Sequence, residues 1–87
     1  MADLVIDITE PGYGIGYVNS DVAEYLDWSI YVNKDGATWV VWTDDHGHAA
    51  GSTLDIAIKR WAKQAGIMHG TADVDYEYRG KRYTLTW

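Results

Sequence analysis

"TWVVWTDDHGHAAGST", residues 38–53, runs from aromatic and β-branched side chains into two carboxylates and two histidines, then into small residues. Up to Thr43 its composition is that of a strand. Beyond it, Asp44-Asp45-His46-Gly47-His48 is either a metal or catalytic site or a polar bend. The segment is polar, contains glycine and ends at Ser52, a residue suited to cap a helix, which is the pattern of a strand-to-helix connection. We read it as that bend, with the strand before it passing straight into a helix.

Downstream, Ser52 to Ala65 carries Leu54, Ile58, Trp61 and Ala65 at helical spacing, with Asp55 three residues after the cap and Gly66 just past the end. Lys59, Arg60 and Lys63 fall off that stripe and read as a solvated face. Upstream, Trp28–Asn33 and Ala37–Thr43 flank Lys34-Asp35-Gly36, a hairpin signal. That register sets Val32 opposite Trp39 and Ile30 opposite Val41, with Tyr31 and Trp42 on the other face. Both faces are therefore rich in apolar atoms, and an uncovered aromatic face is a binding surface.

Two further hairpins complete the pattern. Leu4, Ile6 and Ile8 alternate with Asp3, Val5 and Asp7, and a turn at Pro11-Gly12 leads to Tyr13, Ile15 and Tyr17. This turn sets Ile8 opposite Ile15 and Ile6 opposite Tyr17. Near the C-terminus, Asp73–Arg79 and Arg82–Trp87 flank Gly80-Lys81, pairing Val74 with Trp87, Tyr76 with Leu85 and Tyr78 with Tyr83. Ser20-Asp21-Val22-Ala23-Glu24 has the form of a capped helix start, with Val22, Tyr25 and Leu26 as a short apolar face. The expected fold is a single α+β domain over residues 1–87. It has an antiparallel sheet of five or six strands (three hairpins), one long helix packed on one face and one short helix.

The composition narrows function. A chain of 87 residues, 47% hydrophobic, is long enough for one modest core. With no cysteine it has no disulfide, thiolate ligand or thiol nucleophile. No basic segment or long apolar run marks a signal peptide or membrane span, so a cytoplasmic protein without membrane contact is expected. Residues 1–55 hold ten acids and one base, net −9, whereas residues 56–87 hold three acids and six bases, net +3. The overall charge of −6 argues against a general nucleic-acid binder. Five Trp, seven Tyr and no Phe give every ring a polar handle, as at surfaces that meet a partner.

Candidate chemistry is sparse. His46 and His48, with His69 as a further donor, are the candidate metal ligands, but no His-Glu-x-x-His helix or cysteine framework accompanies them. Asp73-x-Asp75-x-Glu77 would align three carboxylates on one strand face, a row that reads as a solvent face or as a contact for basic groups. Gly12-Tyr13-Gly14-Ile15-Gly16 lacks the spacing of a phosphate loop, and Asp21 and Glu24 would repel a phosphate at the following helix. No Gly-x-Ser-x-Gly elbow surrounds any serine. We therefore expect no enzyme, no cofactor and no metal.

In size, acidity and lack of a motif, the chain resembles small phage-encoded inhibitors of host defence, such as anti-CRISPR proteins. That resemblance covers the general profile and carries no residue across; it implies host cytoplasm. The expectation is an acidic interaction module that binds a basic surface of a protein complex, such as a nucleic-acid-binding effector. Asp21, Glu24, Asp27, Asp44, Asp45, Asp73, Asp75 and Glu77 are its expected acidic contacts, and Tyr31 and Trp42 its aromatic ones. Two alternatives stand beside it. One is a nucleic-acid binder using the basic helix, the Arg79/Lys81/Arg82 hairpin tip and stacking on Tyr31 and Trp42. The other is a metal-dependent hydrolase or nuclease built on His46 and His48 or on the acidic row.

Overall fold

The structure, a computed structural model, describes residues 2–19 and 29–87. Among these residues seven strands form one sheet: β1 (Ala2–Glu10), β2 (Tyr13–Asn19), β3 (Ser29–Asp35), β4 (Thr38–Thr43), β5 (Gly47–Gly51), β6 (Gly70–Tyr76) and β7 (Lys81–Thr86). The α-helix α1 (Leu54–Gln64) joins β5 to β6. Strand order is β5-β4-β3-β2-β1-β6-β7. Neighbours are antiparallel except β1 and β6, which are parallel. The expected antiparallel sheet of five or six strands is thus corrected to a mixed sheet with more strands. The short helix expected from Ser20 lies outside the described residues.

Both corrections trace to one segment. Residues 47–51, read from sequence as part of a bend, form β5, pairing Trp42 with His48, Val41 with Ala49 and Trp39 with Gly51. Asp44–His46 is the hairpin turn, held by the His46 N–H donating to Thr43 Oγ1 at 3.1 Å and by Gly47 at φ +71°. Successive antiparallel strands alternate in direction, so β5 runs with β1. Helix α1 then returns against β5: Arg60 near its middle reaches the Ala50 carbonyl at 2.8 Å, and Gln64 near its end reaches that of His46. The chain consequently enters β6 in the direction of β1. A helix following β4 directly would have delivered β6 the opposite way.

The small residues of β5 exist for α1. Gly47, Ala49 and Gly51 share the face toward the helix, where a Cβ on Gly51 would lie 2.7 Å from Ile56 Cγ2 and 2.8 Å from the Ala57 nitrogen. Glycine there permits close backbone approach. The helix starts one residue later than its composition suggests. Thr53, rather than Ser52, is the cap, its Oγ1 accepting from the Ile56 N–H at 3.2 Å. It ends in a Schellman motif: Ile67 N–H donates to the Ala62 carbonyl, Gly66 N–H to that of Lys63, and Gly66 sits at φ +86°.

Leu54, Ala57, Ile58, Trp61 and Ala62 of α1 are buried against Leu4, Ile6, Ile8, Ile30, Val32, Val41, Ala72 and Val74 of the sheet. The sheet curls so that β7 at the far edge also meets the helix, through the Tyr83 hydroxyl donating to Asp55 at 2.7 Å. Trp61 is fully buried and among the described residues its Nε1–H has no acceptor, a cost of about 1–3 kcal/mol outweighed by the apolar area of the ring. Trp87, at the margin of this core, donates its Nε1–H to the Ile67 carbonyl at 3.1 Å, so its expected structural role holds.

Hairpin registers differ from expectation in an instructive way. In β3–β4 the turn falls on Gly36-Ala37, so Tyr31 faces Trp42 and Val32 faces Val41, a two-residue shift that keeps every side chain on its face. In β6–β7, β6 stops at Tyr76 and Glu77–Arg79 form a 3-10 turn, so Val74 faces Tyr83 and Ala72 faces Leu85. In β1–β2 the shift is a single residue: Ile6 faces Gly16, Ile8 faces Gly14, and Ile15 faces Asp7. An odd shift exchanges the two faces of a strand. The physical reason is space, because a Cβ on Gly14 would lie 2.6 Å from Ile8 Cδ1 and one on Gly16 2.0 Å from the Val5 carbonyl oxygen.

Candidate functional site

The face of the sheet turned away from α1 carries large and charged side chains that the core does not use. The registers place one side chain from every strand in a single lateral row: His48, Trp42, Tyr31, Ile15, Asp7, Asp75 and Arg82. Along that row Tyr31 stacks on Trp42 at 4.5 Å between centroids, and Trp42 on His48 at 5.4 Å with 18° between planes. The indole is further fixed by donating Nε1–H to Asn33 Oδ1 at 3.0 Å. Beside this stack β2 presents Tyr13, Ile15 and Tyr17, which are 39%, 42% and 50% exposed. One half of the outer face is therefore aromatic and apolar, with its rings held by stacking rather than by the core.

The other half is acidic. Parallel pairing sets Asp7 beside Asp75, Val5 beside Asp73 and Asp3 beside Thr71. Asp3 accepts from the Thr71 hydroxyl, Asp73 from the Thr84 hydroxyl at 2.8 Å, and Asp75 pairs with Arg82 at 3.3 Å. The Arg82 side chain is largely exposed, so that pair contributes little to stability. Val5, Asp7, Asp73, Asp75 and Arg82 line a shallow depression of about 320 Å³. Its lining is one apolar side chain, Val5, among three carboxylates and a guanidinium.

The expected site residues divide accordingly. Tyr31, Trp42, Asp73 and Asp75 come together on this face. Glu77 does not, since it belongs to the 3-10 turn, and the three-carboxylate row Asp73-x-Asp75-x-Glu77 does not form. Asp44 and Asp45 are exposed in the β4–β5 turn. His46 sits in the same turn, whereas His48 stacks on Trp42 from β5. Among the described residues no group of three or more His, Asp or Glu side chains converges to hold a metal ion. Asp21, Glu24 and Asp27 lie outside the described residues. Tyr31 and Trp42 occupy the face opposite α1, so the basic helix positions Lys59, Arg60 and Lys63 do not share a surface with them.

Asp3, Asp7, Tyr13, Ile15 and Tyr17 are members of the face that sequence reasoning missed. The signal was present in Tyr13-Gly-Ile-Gly-Tyr17, where glycine at alternate positions marks the crowded side. Elsewhere, burial raises the Tyr83 hydroxyl well above the usual phenol range, helped by its hydrogen bond to Asp55, and burial likewise raises Tyr76 against a lowering contact from Tyr83. Both rings belong to the helix side and stay protonated at neutral pH.

No protein-family model, curated protein or solved structure matches this chain. No helix among the described residues is long and apolar enough to cross a membrane.

Proposed function

We propose that the protein is a binding module that docks on a basic macromolecular partner through the outer face of its sheet. The observation that carries this reading is the single lateral row in which stacked rings on β3, β4 and β5 pass, through Ile15, into the carboxylates of β1 and β6. Large apolar side chains that the core does not use are costly to leave in water, and Trp and Tyr concentrate binding energy at interfaces. Carboxylates beside them raise the encounter rate with a basic surface and disfavour acidic partners. Val5 in the lining of the depression suits the methylene stem of a Lys or Arg whose head meets Asp7, Asp73 and Asp75.

An inhibitor that occupies the nucleic-acid-handling surface of a host-defence complex is the version of this reading that the chain's size and acidity suggest. The test is affinity capture with the tagged full chain from cells that naturally produce or encounter it. Capture of a complex with a basic surface, lost in an Asp7→Lys/Asp73→Lys/Asp75→Lys variant of unchanged circular dichroism, is the expected result. Retention of the same complex by that variant would refute the acidic contact.

A further inference from the structure

The end of the sheet where the β1–β2, β3–β4 and β6–β7 connections meet holds a different constellation. Gly12, Lys34, Trp39, Tyr76, Tyr78 and Arg79 are among the residues lining a cleft of about 380 Å³, within the range of about 300–1,000 Å³ usual for small-molecule sites. The lining holds two cations and three aromatic rings and no carboxylate. In a chain of net charge −6 that local composition stands out. It is also ordered. The Lys34 N–H donates to the Gly12 carbonyl at 2.8 Å, and its ammonium lies 5.5 Å from the centroid of the Trp39 ring. Arg79 lies 6.0 Å from the Tyr76 centroid, and Tyr76 meets Tyr78 edge-on at 6.3 Å. Gly12, at φ +78°, lets the two turns close up, since a Cβ there would press on Lys34 Cβ at 3.3 Å.

We propose that this cleft binds a nucleotide, with the base stacked on Tyr78 and the phosphate between Arg79 and Lys34. Tyr78 is 45% exposed, which leaves a ring face for a planar ligand. The guanidinium offers paired donors to phosphate oxygens, and the ammonium a second charge. Among the described residues neither cation is in an ion pair, which leaves both charges for a phosphate. Asp55 faces the adjoining hollow, which Tyr76 and Arg79 also line together with Lys81 and Tyr83, and its carboxylate is already engaged by the Tyr83 hydroxyl. This site is separate from the outer face and stands whether or not that face binds a protein.

Two probes test it and distinguish a free nucleotide from a strand end. Adenosine monophosphate is titrated by NMR, and a fluorescein-labelled ten-nucleotide oligothymidylate by anisotropy. Saturable shifts or anisotropy, weakened about tenfold or more by Tyr78→Ala and by Arg79→Ala, are expected, with Lys63→Ala on the helix within about twofold of the parent. Lys34→Gln gives an independent reading should either variant lose structure. Similar affinity for both probes assigns a free nucleotide; markedly tighter oligonucleotide binding, with log affinity falling by about 0.7 per phosphate contact per log unit of salt, assigns a single strand. Absence of saturation for both probes at millimolar concentration, or equal loss in Lys63→Ala, overturns the proposal.

Discussion

The two faces of the sheet are built from the same strands and follow opposite rules. On the helix side, β2 contributes Gly14, Gly16 and Val18 and β5 contributes Gly47, Ala49 and Gly51; on the outer side the same strands contribute Tyr13, Ile15, Tyr17 and His48. Apart from Val18 inside and Ala50 outside, small residues face inward and large ones outward, the reverse of an ordinary half-buried strand. Inside, side-chain size is capped by the backbones of β1 and α1, which come within van der Waals reach. Outside, nothing in the core calls for a ring. Large residues where packing does not require them are what the proposed docking face rests on.

Substitutions that separate packing from binding sharpen this contrast. Trp61→Ala removes the largest fully buried side chain among the described residues and is expected to cost about 3–5 kcal/mol, read as a lowered urea midpoint. Gly16→Ala places a methyl into the β1 carbonyl and is expected to cost up to about 3 kcal/mol in the same assay. A Gly16→Ala protein as stable as the parent would break the account of why β2 is turned inside out. Alkali provides a third test on the helix side. Tyr83 ionises more easily in the unfolded chain than in the fold, so stability is complete below pH of about 10 and falls as pH rises above it. Tyr83→Phe should flatten that alkaline slope in urea titrations.

Outer-face changes should leave the fold nearly untouched. Trp42→Ala loses two stacking partners and one hydrogen bond, about 1–2 kcal/mol of stability, while weakening partner binding by about 2 kcal/mol or more. Smallest of all, Asp75→Asn breaks an exposed ion pair worth less than about 1 kcal/mol, with its effect confined to association rate and salt dependence. A Trp42→Ala protein that unfolds as readily as Trp61→Ala would erase the distinction between the faces.

Helix α1 was legible because its stripe, first-turn acid and terminal glycine are local signals, and its observed bounds differ only at the cap. The outer positions of Tyr31, Trp42, Asp73 and Asp75 were legible because their hairpins shifted by even numbers of residues. What escaped depended on distant backbones. The Gly14 and Gly16 register is set by clashes with β1, and the small residues of β5 take their meaning from a helix that comes later in the chain. The neighbouring acids Asp3 and Asp7 joined the site only through the parallel β1–β6 pair, a contact across some seventy residues of sequence. No local pattern in residues 2–10 signals it.

Site-specific photocrosslinking from each side of the sheet tests the central claim most directly. A photoreactive residue replacing Tyr17 on the outer face and, in a second protein, Lys63 on α1 would be activated in the captured complex. Adducts to a basic partner protein from the Tyr17 position and none from the Lys63 position are predicted. Adducts from the helix position alone, or from neither, would contradict the assignment of the outer face as the docking surface.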